Sequence, residues 1–113
     1  MAKATEETGD GWKIPPIPAE FFKLNERDND WVNRQCTLQP IGTFQQPLML
    51  SGGIDNVNNV TYIRATGFEE GSPFPPFFDK AQKKGWRTVN MDCGHDVMLD
   101  LPEELCKTLL SVA

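Results

Sequence analysis

The sequence predicts an α/β architecture in which two parallel strands alternate with two helices through the second half of the chain. Three observations carry this. At 113 residues the chain has material for one domain with one core. Val60-Thr61-Tyr62-Ile63-Arg64-Ala65 and Trp86-Arg87-Thr88-Val89-Asn90-Met91 are strand-forming runs rich in β-branched and aromatic residues. Each is followed by an apolar pattern at helical spacing, and the order strand, helix, strand, helix makes a right-handed crossover with parallel strands the default.

Taken in order, residues 1–11 are polar, contain little to bury, and are expected to be a flexible N-terminus. Trp12-Lys13-Ile14-Pro15-Pro16-Ile17-Pro18 follows. Its three prolines fix φ and remove donors while its apolar side chains need cover, so an extended segment lying against another part of the chain is expected. Ala19–Phe22 fits a helical turn, and Asp28 is placed to cap a short helix from Asn29 to about Cys36. Pro40, Gly42 and Pro47 then interrupt any regular element, and Ser51–Asn59, rich in Gly and Asn, reads as a loop. After the first strand, Ser72 is placed to cap a helix bearing Phe74, Phe77, Phe78 and Ala81, which Gly85 stops. These aromatics, with Trp86, are expected in the core. The closing helix from about Pro102 to Val112 is expected to bury Leu105, Leu109 and Val112 on one face, with Asp100 and Glu103 forming a capping box. A sheet of two strands leaves two open edges, so the chain is expected to be part of a larger α/β domain or to need another chain for cover.

Composition narrows the functional classes. A formal charge of -5 argues against a phosphate-backbone partner, and the cluster Lys80, Lys83 and Lys84 falls at a helix C-terminus, where cations complement the dipole. No nucleic-acid partner is therefore expected. Three cysteines, Cys36, Cys93 and Cys106, form neither a CxxC pair nor a metal-ligand spacing with the lone histidine, so neither metal nor cofactor is expected. The odd count, the lack of a ~20-residue apolar run and the lack of a basic-then-apolar leader lead to the expectation of a cytoplasmic protein without a membrane partner. Asn59-Val60-Thr61, a match to the glycosylation sequon, is then a chance occurrence.

The segment that carries chemistry is Cys93-Gly94-His95-Asp96-Val97-Met98-Leu99-Asp100-Leu101-Pro102-Glu103-Glu104-Leu105. It holds the only histidine, on a loop between the second strand and the closing helix. Histidine is suited to carry protons near neutral pH, and parallel sheets place their chemistry beyond strand C-termini. This run resembles the C-terminal end of an α/β-hydrolase. With Gly11–Pro16, Trp31–Pro40 and Thr61–Ala65 it is similar to the esterase-like branch related to plant salicylate esterases and hydroxynitrile lyases. The resemblance implies the C-terminal segment of that fold: a partial cap over 12–50, then a βαβα segment of the core over 51–113. His95 would be the triad histidine, and Trp12, Phe21, Phe22 and Trp31 would line the substrate pocket.

Two departures bear on activity. The family's serine sits on a G-x-S-x-G elbow, and none of Ser51, Ser72 or Ser111 lies in that frame, so the nucleophile is expected upstream of Met1. The triad acid would fall in the Gly67-Phe68-Glu69-Glu70 loop, where Phe68 takes the direct position. Glu69, Glu70 and an acid outside the sequence remain open for orienting the imidazole. Cys93, near His95, is expected to be a small buried thiol and not a nucleophile. The resulting expectation is the histidine-bearing portion of an esterase, inactive alone, whose substrate would be a small-molecule ester once the missing half is supplied. The alternative is a non-catalytic binding or assembly module, whose exposed strand edge would pair with another chain or with a second copy as a homo-oligomer. Hydrolase and lyase chemistry are not separated by these residues.

Overall fold

A computed structural model of the chain describes residues 10–113. Most of the expected flexible N-terminus lies outside the described residues. The front half opens with β1 (Lys13–Ile14), which pairs antiparallel with β2 (Gln39–Pro40). This is the cover that the proline-rich segment requires, and the ladder is extended by the Ile41 amide donating to the Trp12 carbonyl at 2.8 Å. Ala19–Phe22 forms a 3-10 turn, and α1 runs over Glu26–Gln35. Asn25, not Asp28, caps α1: its side-chain oxygen accepts from the Asp28 amide at 3.2 Å. Asp28 occupies the first turn instead, where a carboxylate suits the helix dipole. Asn33 of α1 holds the 3-10 turn by accepting from the Ala19 amide at 2.8 Å. A single-turn α2 follows at Gly42–Gln45.

The second half is the predicted strand–helix–strand–helix unit. β3 (Thr61–Ala65) and β4 (Arg87–Met91) pair in parallel, with Ile63 opposite Val89 and Ala65 opposite Met91. They are joined by α3 (Pro75–Lys83), and β4 leads through α4 (Val97–Asp100) to α5 (Pro102–Leu110). Alternation along the strands separates two faces. On one, Ile63, Ala65, Val89 and Met91 pack with Cys93, Val97, Leu101 and Leu105 into the core. On the other, Tyr62 and Arg64 meet Phe78 of α3, the Arg64 guanidinium lying 4.3 Å from its ring centre.

Several elements differ from expectation for identifiable reasons. Prolines at 75 and 76 start α3 after Phe74, and the Ser72 hydroxyl accepts from the Phe74 amide without capping the helix. Asp100 and Glu103 form no capping box, because the cap of α5 is Leu101 and the Asp100 carboxylate is engaged elsewhere. Of the residues expected on the buried face of the closing helix, only Leu105 packs against the core, while Leu109 and Val112 are exposed. Phe74 and Phe77 are also exposed, at 40% and 55%, so they are not core residues. Among the described residues no large side chain is fully buried, and the sheet has two strands only. The architecture is a small parallel sheet with helices, compatible with a fragment of an α/β fold. No described helix is long and apolar enough to cross a membrane.

Candidate active site around His95

The backbone leaving β4 turns at Cys93-Gly94-His95, and two close approaches fix that turn. The Gly67 amide donates to the Cys93 carbonyl at 3.0 Å, which ties it to the loop after β3. On the other side the Lys23 carbonyl presses on Gly94 so closely that a Cβ there would lie 2.1 Å from its oxygen. Only glycine fits. The His95 amide then donates to the Phe22 carbonyl at 2.9 Å. A histidine loop in the second half is thereby built onto a segment from the first.

The imidazole, half-buried, sits among phenyl rings. Phe74 stacks on it with an interplanar angle of 2° and ring centres 5.2 Å apart, Phe22 stacks at 5.3 Å, and Phe68 tilts against it at 5.2 Å. Phe68 is 4% exposed and also touches Phe21 and Phe22, so it forms the hub of this aromatic cluster. The electron-rich ring faces suit both a neutral imidazole and its cation.

A cleft of about 480 Å³ opens beside His95, with Phe74, Phe77, Met98 and Leu105 among its walls. Tyr62, Ile63, Arg64 and Ala65 all line it. Consecutive strand residues point to opposite faces, so a cleft touching all four runs along the edge of β3 that is unpaired among the described residues. The bonding pattern shows which groups it meets. The Val60 carbonyl accepts from Arg87 and the Thr66 amide donates to Met91, so even-numbered residues of β3 bond to β4. The backbone groups of Thr61, Ile63 and Ala65 therefore point away from β4, those of Ile63 and the Ala65 amide toward the cleft, while the Ala65 carbonyl accepts from the Phe68 amide at 3.2 Å.

The expected site residues divide. Glu69 lies on the cleft but is ion-paired with Arg64, and Glu70 is exposed. Among the described residues no carboxylate forms an ion pair or hydrogen bond with the imidazole. None of the four residues expected to line the pocket lines the cleft: Phe22 is in ring contact with His95 and Phe21 is one ring further out, while Trp12 and Trp31 are half-exposed. Ser72 lies on the cleft wall. Cys93 is buried, and burial pushes its thiol pKa up, with the Asp100 and Asp92 charges acting in the same direction. That is the opposite of what a nucleophilic thiolate needs. No group of three His, Cys, Asp or Glu among the described residues could hold a metal ion.

One site residue escaped the sequence reading. The Asp100 carboxylate accepts from the Gly94 amide at 2.8 Å through one oxygen, and from the Asn25 amide at 3.0 Å and Asn25 Nδ2 at 2.7 Å through the other. Burial alone would raise its pKa; the hydrogen bonds from Asn25 and Gly94 outweigh burial and the nearby Asp28 charge, and hold it below the usual carboxylate value. Its position five residues after the histidine, at a helix boundary, favoured a cap as its role.

Comparison with known proteins gives one informative likeness. The chain is 44% identical over 101 residues to a carbendazim hydrolyzing esterase from Nocardioides sp. (strain SG-4G). The matched stretch takes in 88% of the chain and 41% of that esterase, so the chain spans well under half the length of this relative. No protein-family profile and no solved structure matches the chain. The chain is thus a partial homologue of an esterase.

Proposed function

We propose that the chain is the histidine-bearing portion of a serine esterase of the α/β-hydrolase type. The observation that carries this is the 44% identity to the Nocardioides esterase, and the loop geometry agrees with it. His95 would take the proton of a serine supplied by polypeptide outside these 113 residues, then return it to the leaving alcohol. Ester oxygen, serine and imidazole would meet at the cleft mouth, with Phe22 and Phe74 holding the ring plane. The acid partner of the imidazole would come from that same polypeptide, since Glu69 is neutralised by Arg64. The name of that relative directs attention to carbendazim, and its class to carboxylic esters in general.

The test is complementation. The chain alone and the chain co-expressed with the part of the Nocardioides esterase outside the matched stretch are assayed on a short-chain aryl ester and on carbendazim. The chain alone is expected to be inactive and the pair active, with His95→Gln lowering turnover by about 10²–10⁴-fold. Turnover by the isolated chain that depends on His95 would show that the nucleophile is within it. A stable but inactive pair would remove the esterase assignment. It would favour the second reading, an assembly module, for which the open edge of β3 and the apolar cleft beside it speak.

A further inference from the structure

We propose that Asp100 is the positioning residue of His95, acting through the backbone and not through the imidazole. Its catalytic meaning rests on the role proposed above for His95, but the geometry stands without it. One oxygen holds the amide of Gly94, immediately before the histidine; the other holds the backbone and side chain of Asn25. Between these anchors lie the two contacts that orient the ring: the bond from the His95 amide to the Phe22 carbonyl, and the seat of Lys23 on Gly94. Phe22, whose ring stacks on the imidazole, is three residues from Asn25. The carboxylate thus fixes the histidine and one stacking partner in a single frame.

Three features make a carboxylate suited to the task. Three donors converge on it, which an ionised group can accept simultaneously and an amide cannot. The donors come from two segments distant in the chain, so removing the acceptor uncouples them. Nor does the side chain cap α5, whose N-cap is Leu101 and which has no side-chain cap bond. The acid sought beside the ring lies behind its backbone.

Because His95 is the only histidine, its ring protons are single, assignable NMR signals, displaced by the ring currents of Phe22 and Phe74. The experiment records these signals in the 113-residue chain, in Asp100→Ala and Asp100→Asn, and in Val89→Ala as a control that destabilises the core without touching the clamp. The ring-current displacement is expected to be lost in Asp100→Ala, partly kept in Asp100→Asn, which still offers one acceptor, and unchanged in Val89→Ala. Unchanged signals in a folded Asp100→Ala, or equal losses in it and Val89→Ala, overturn the proposal. Should Asp100→Ala fail to fold, Asp100→Asn against Val89→Ala decides by the same criterion. No activity enters this readout, so an inactive complemented pair would remove the esterase reading and leave the positioning result intact.

Discussion

At the scale of single residues, the site depends on a glycine and a carboxylate more than on any apolar side chain. Gly94→Ala would drive a methyl group into the Lys23 carbonyl, a backbone atom with nowhere to move unless the front segment lifts. A loss of at least about 1–3 kcal/mol in urea unfolding is expected, and a neutral substitution would show that this approach is looser than described. Asp100 makes a pH-dependent contribution. Its folded carboxyl titrates below the unfolded one, so its stabilisation is complete above the unfolded pKa of about 3.9 and disappears as pH falls through the folded value. Asp100→Asn should cost about 1–3 kcal/mol at pH 7 and flatten the acid limb of the stability profile. An acid limb identical to the parent's would assign that pH dependence to other carboxylates, of which Asp28 and Asp55, both held low by basic neighbours and hydrogen bonds, are the first to examine.

Among the elements, those with strong local signals were legible from sequence and those made by distant contacts were not. β3, β4, α3 and α5 fall where residue type and spacing place them, because each is specified within a handful of positions. The β1–β2 ladder joins residues some 26 positions apart by two pairs only, and no local pattern announces it. The four-residue α4 is too short for periodicity to reveal. His95 and Glu69, singled out by residue type, do come to one cleft, but the pairing of Glu69 with Arg64 follows from Arg64 on β3 sharing that cleft with the following loop. α5 shows the limit of amphipathic reasoning, since its pattern marks a face that is only partly covered. Leu110, 78% exposed, should tolerate Leu110→Lys within about 0.5 kcal/mol, as measured by thermal unfolding. A larger loss would mean that this end of the helix is covered in solution.

For the molecule as a whole, the edge of β3, unpaired among the described residues, is where the companion polypeptide proposed above would add a strand. If the complementing part of the Nocardioides esterase adds a strand there, amide exchange at Thr61, Ile63 and Ala65 should slow on mixing, while Tyr62 and Arg64, already bonded to β4, change little. Uniform protection, or none, in a formed pair would place the contact elsewhere. The Asp100 clamp carries a different consequence, for the order of events in folding. It joins residues 75 positions apart, and closing such a loop costs on the order of 4 kcal/mol in chain entropy. The β3–α3–β4 unit can form first from nearer contacts, leaving the front segment to dock late. Substitutions at Asp100 should then accelerate unfolding with little effect on the refolding rate, as stopped-flow chevrons would show. On that timetable the histidine acquires its surroundings in the final step of folding, and a nascent chain carries an unassembled site until Asp100 has been made.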